Sequence, residues 1–158
     1  MLLEGRPAGW MTSNVELLLN GRSLGSVRAR WFSEGLDLDL SGHQVRFEKA
    51  AWLRSHFVLK DAEGKELGSA KLTGFFGLRW EMSLKSGDAV LERAGWFTSD
   101  YVLRQGGAIT ATVGLTGWFT RAWQVHANES LSAEDVLLVG LVYETIRHRE
   151  SQQHAHSN

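Results

Sequence analysis

The chain has 158 residues, 43% of them hydrophobic and 22% charged, with a formal net charge of −1. That length and composition describe one globular domain with a substantial core, and they exclude attachment to nucleic acid or membrane by bulk charge, though not a local basic patch. With no cysteine the chain has neither disulfides nor thiolate chemistry, which fits a reducing, cytoplasmic setting.

The N-terminus, Met1-Leu2-Leu3-Glu4, meets a charge after two leucines, too soon for the apolar core of a signal peptide. A unit of about 43 residues then recurs three times, the mark of one supersecondary unit used repeatedly. Ala8-Gly9-Trp10-Met11-Thr12-Ser13 returns as Ala50-Ala51-Trp52-Leu53-Arg54-Ser55 and as Ala94-Gly95-Trp96-Phe97-Thr98-Ser99. Before each tryptophan runs a short strand: Leu2 to Gly5, Val45 to Lys49, Val90 to Arg93. After it come Val15-Glu16-Leu17, Phe57-Val58-Leu59 and Tyr101-Val102-Leu103, each leading into a glycine turn. Asn20-Gly21 is the strongest of these hairpin signals.

The next strands are Leu24-Gly25-Ser26-Val27, Leu67-Gly68-Ser69-Ala70 and the looser Ile109-Thr110-Ala111-Thr112. A second aromatic pair follows in each unit, at Trp31-Phe32, Phe75-Phe76 and Trp118-Phe119, and beyond it stand Leu36, Trp80 and Trp123. Leu36-Asp37-Leu38-Asp39-Leu40 shows most plainly the period-2 alternation of a sheet buried on one face. Three four-stranded units, over 1–41, 42–87 and 88–129, give about twelve strands.

Residues 132–149 break the pattern. Ser132 with Glu134 and Asp135 suits a helix start, and Arg147, His148 and Arg149 suit its end. Between them Val136 to Tyr143 has no polar face, so the helix must be buried on all sides, yet it is too short to span a membrane. A helix is about 10–12 Å across with its side chains, and a wide barrel can enclose one. The expected fold is mainly β: a closed barrel of about twelve antiparallel strands around the C-terminal helix, with Gly140 either a close approach of helix to wall or a merely tolerated glycine and 150–158 a disordered tail. The alternative is a β-trefoil, which also has three four-stranded units but no room for a central helix.

Phe57-Val58-Leu59-Lys60 and Tyr101-Val102-Leu103-Arg104, each before a glycine turn, and the terminal Asp135-Val136-Leu137-Leu138-Val139 helix resemble the tubby-like superfamily. That group includes tubby C-terminal domains, phospholipid scramblases and LURP-one-related proteins. The resemblance covers nearly the whole chain and implies a twelve-stranded barrel wrapped on a hydrophobic helix. The proline-rich and cysteine-rich segments of scramblases are missing. The resemblance implies a binding module for anionic phospholipid or phosphoinositide headgroups at a membrane surface, peripheral to it and with no transmembrane segment.

Candidate headgroup-binding residues are Arg28 and Arg30, on the side of their strand opposite Val27, Ala29 and Trp31, and Lys71, which takes the place of Arg28 in the second unit. Val113 is read at that place in the third. A solvated barrel exterior is the plainer account of the same cations. The seven tryptophans suggest a stacking surface, but their place in the repeat favours Trp10, Trp52 and Trp96 as core or barrel rim. Asp37 and Asp39 read as a solvated face. His43, His56 and His126 have no metal spacing, and no nucleophile, phosphate-loop or dinucleotide motif is present. The expectation is no enzyme, no cofactor, no metal and no nucleic-acid partner. The alternative to lipid is a carbohydrate- or protein-binding β module.

Overall fold

The computed structural model describes residues 1–8, 14–29, 34–50, 55–73, 79–117 and 121–156. The first unit supplies β1 (Leu2–Pro7), β2 (Val15–Leu19), β3 (Arg22–Ala29) and β4 (Leu36–Leu40). The second supplies β5 (His43–Lys49), β6 (His56–Lys60), β7 (Glu66–Thr73) and β8 (Arg79–Leu84). The third supplies β9 (Gly87–Arg93), β10 (Tyr101–Gln105), β11 (Ala108–Leu115) and β12 (Trp123–Ala127), and one helix, α1 (Ala133–His156), follows.

Each strand pairs antiparallel with the next, and β1 pairs with β12, so the sheet closes into a twelve-stranded barrel. This is the expected barrel and not the trefoil. The threefold repeat extends to its irregularities: one β-bulge interrupts the second and third strands of every unit, after Leu17, Leu59 and Leu103. Asn20 and Gly21 both have positive φ (51° and 83°), as do Gly106 and Gly107 (54° and 85°). These are the two-residue hairpin turns whose twist matches the strands they join.

Alternate residues of every strand point inward: Leu3, Leu17, Val27, Leu38, Phe47, Leu59, Trp80, Leu91, Leu103 and Val125 are all buried. Inside the ring they meet Val136 to Tyr143, every residue of which is buried. A Cβ built on Gly68 of β7 would touch Leu138, and one on Gly140 would touch Leu3 of β1. Since β7 stands halfway round the ring from β1, the helix reaches opposite walls and fills the barrel. Of the two readings of Gly140, the close approach is the one observed.

The helix begins in a reciprocal cap. Asp135 N–H donates to Ser132 Oγ and Ser132 N–H to the Asp135 carboxylate, both at 3.2 Å. The same carboxylate accepts the N–H groups of Lys85 (2.8 Å) and Ser86 (3.2 Å) in the β8–β9 turn. One buried acid thus fixes the helix start to the barrel end. At the other terminus the helix does not stop at Arg149 before a tail; it continues through residues 150–156 to His156. No glycine or proline follows Arg149 to end it. Glu150 ties the extension down, binding Arg147 at 2.9 Å and Arg93 of β9 at 3.6 Å.

Candidate functional site

Because neighbouring strands are antiparallel, the connections alternate between the two ends of the barrel. Short turns join β2 to β3, β4 to β5, and so on at one end, where the helix also starts. The longer connections, whose sequences carry the repeated aromatic pairs, join strands at the other end, where the helix finishes.

Arg28 and Lys71 lie on the exposed outer wall, toward that second end. Their inward neighbours Val27 and Ala70 are 2% and 0% exposed, as the alternation requires. Arg30 lies outside the described residues. Each of the two described cations faces an acid on the next strand: Arg28 is paired with Asp37, and Lys71 with Glu81. Such cross-strand pairs stabilise a sheet by about 0.2–1 kcal/mol each.

The register corrects the third unit. The residue that holds the place of Arg28 and Lys71 is Gly114, paired with Gln124; Val113 points inward at 2% exposure. The third unit lacks the Leu-Gly-Ser run of the other two, and without that marker a one-residue slip turns every side chain to the other face. Nor do the two cations form one pocket. Three strands, β4 to β6, separate β3 from β7, about 20 Å along the wall at normal strand spacing. Lys71 lies in an open groove with His56, Ser69, Glu81, Ser83 and Arg104.

The densest charge cluster sits where the helix reaches the second end. Arg149 grips Glu34 with two nitrogens, at 2.5 and 2.9 Å, and donates to Ser55 Oγ at 2.9 Å. Its guanidinium lies 5.6 Å from the Phe57 ring centre and 5.8 Å from that of Trp80. Lys49 adds a second contact to Glu34 at 2.8 Å. Partial burial opposes ionisation of Glu34, but the hydrogen bonds and charges of Arg149 and Lys49 outweigh it and hold the carboxyl at about 2. This bidentate pair ties the helix to the segment before β4, beside the buried rings of Phe57 and Trp80. Its members are 115 residues apart, so no local pattern announces it.

Glu144, deeper in the barrel, has the opposite shift. Burial raises its pKa, against the hydrogen bond from Trp123 and the nearby cations. The Trp123 indole N–H donates to it at 2.6 Å. Among the described residues no three His, Asp or Glu side chains gather as metal ligands, and no helix is long and apolar enough to cross a membrane.

The tryptophans depart from expectation where they are described. Trp80 and Trp123 are core residues, each 1% exposed, but Trp96 is 87% exposed and Phe97 fully so. The rim packing expected of Trp96 does not occur. Its loop spends its anchoring contacts elsewhere: Ala94 N–H bonds Asp100 O, Asp100 N–H bonds Thr98 Oγ1, and Tyr143 OH bonds Ser99 O. These leave the Trp96-Phe97 tip facing solvent. Trp10 and Trp52 lie outside the described residues.

No family model matches the chain, and no curated protein does. Among solved structures, an X-ray structure of an Arabidopsis thaliana protein is similar over 92% of this chain and 91% of that one, with 12% identity and a TM-score of 0.40.

Proposed function

We propose that this protein is a non-enzymatic, tubby-like module that binds anionic phospholipid headgroups at a membrane surface, peripheral to it on the cytoplasmic side. The observation that carries this reading is the pair Arg28 and Lys71: equivalent in two repeats, exposed, and turned outward near the same end of the barrel. A filled interior supports it too, since a ligand must then be met on the outside. The contacts would be spread along the wall rather than gathered in one pocket. The alternative, a carbohydrate- or protein-binding module without lipid affinity, draws on the exposed Trp96-Phe97 tip.

The test is sedimentation with phosphatidylserine-containing vesicles of the native protein, Arg28→Ala, Lys71→Ala and Arg30→Ala. A basic side chain near an anionic surface contributes about 1 kcal/mol, so each substitution should weaken partition about fivefold at low salt. Binding unchanged in all three would remove these residues from the site.

A further inference from the structure

We propose that the end of the barrel at which the helix finishes faces an anionic bilayer, with the Trp96-Phe97 tip penetrating its interfacial layer. The proposal rests on the lipid-binding reading above and adds to it an orientation and an apolar anchor.

The described loop sets the geometry. Ala94 N–H bonds Asp100 O at 2.8 Å, which pinches the loop at its base and leaves Trp96 and Phe97 exposed at its tip. Three other connections at this end have the same pinch between residues six apart. They are Ala8 to Asn14 (2.9 Å), Ala50 to His56 (2.8 Å) and Thr116 to Ala122 (3.0 Å). In every one of the four, the sequence has tryptophan two residues after the donor, followed by a large apolar residue. The two remaining connections at this end carry Trp31-Phe32 and Phe75-Phe76. By sequence, no connection at the opposite end contains an aromatic residue.

Charge selects the occupant. Beside the aromatic connections the described residues include Lys49, Arg79, Arg93, Arg121, Arg147 and Arg149 against Glu34, Asp100 and Glu150. Lys49 and Arg149 are bound to Glu34, and Arg93 and Arg147 to Glu150, so this end is net basic. The opposite end carries Asp61, Glu63, Glu66, Glu129 and Glu134 against Arg22, Lys65 and Lys85, and is net acidic. The barrel is therefore polarised along its axis, basic and aromatic at one end and acidic at the other. Tryptophan and phenylalanine suit the boundary between headgroups and acyl chains, and neighbouring cations suit anionic lipid.

The experiment uses the full chain and vesicles of phosphatidylcholine, alone or mixed with phosphatidylserine, some with brominated acyl chains. The variants are W96A/F97A and, as a milder pair, W96S/F97S; both change only exposed side chains, so the fold should survive. The expected result is quenching of native tryptophan fluorescence by the brominated lipid. Loss of the tip should reduce partition about tenfold or more and diminish the quenching. Salt-sensitive binding to the mixed vesicles, with no quenching and no effect of either variant, would overturn the insertion and leave the headgroup reading intact. Equal binding to neutral and anionic vesicles, lost in the variants, would overturn both the anionic occupant and the headgroup reading, leaving insertion by the tip alone. No binding to any vesicle would overturn both. A dimer that W96A/F97A converts to monomer, with vesicle partition unchanged, would assign the tip to a second copy and overturn the proposal.

Discussion

The ring of Trp123 occupies the space that a side chain on Gly140 would need: a Cβ there would lie 2.5 Å from the indole. A Cβ on Gly5 of β1 would collide with the other part of the same ring. The indole is thus wedged between helix and wall and fixed by its N–H bond to Glu144. Alanine at 140 gains about 1 kcal/mol of helix propensity. Overpacking a ring that has nowhere to move costs about 1–3 kcal/mol and should win. Gly140→Ala is expected to lower the urea midpoint. Combining it with Trp123→Phe should cost less than the sum of the two, since the residues touch.

Arg149 and Glu34 give a second test. Removing one partner of a charged hydrogen bond costs about 1.5–3 kcal/mol, so Arg149→Met should destabilise by that order. The acid dependence follows from Glu34 being held at about 2 against an ordinary 4.5. Its contribution is complete above pH 4.5 and is lost as pH falls toward 2. Urea titrations across that window should show a steeper acid loss in the native protein than in Glu34→Gln.

Glu144 acts in the reverse sense. Burial raises its pKa, so the folded state holds the proton more tightly than the unfolded one. Its contribution therefore declines as pH rises from the ordinary carboxylate value through the raised one. Glu144→Gln keeps an acceptor for the Trp123 N–H and should abolish that decline. Unfolding midpoints for the two proteins should converge at acid pH, with the variant the more stable at neutral pH.

The helix is the filling of the barrel. Deleting residues 131–158 exposes the inward faces of the strands and should give insoluble or molten protein, seen as lost near-ultraviolet dichroism. A cooperatively folding 1–130 fragment would show that the barrel closes on itself.

The architecture was legible because two independent patterns required each other. A threefold aromatic repeat needed an object with many strands, and Val136 to Tyr143, apolar all round, needed walls. Gly140 was legible only as one of two readings. The length of the helix was not, because residues 150–156 are polar and gain their helical support from pairs such as Arg93–Glu150 that only the fold creates. The sequence reading of the third unit is one residue out of register, with Val113 in the place of Gly114, because a strand without a marker has no register of its own. The exposure of Trp96 was hidden by its composition: an aromatic at a fixed repeat position looks the same whether it faces the core or solvent. The Arg149–Glu34 and Asp135–Ser86 contacts join distant segments, and no local spacing encodes them.

The most direct measurement is co-sedimentation of the native protein with neutral and with phosphatidylserine- or phosphoinositide-bearing vesicles, at low and physiological salt. Binding to the anionic vesicles alone, weakening as salt rises, is the predicted result. The protein left in the supernatant under every condition would contradict a membrane role and leave only the helix-filled barrel.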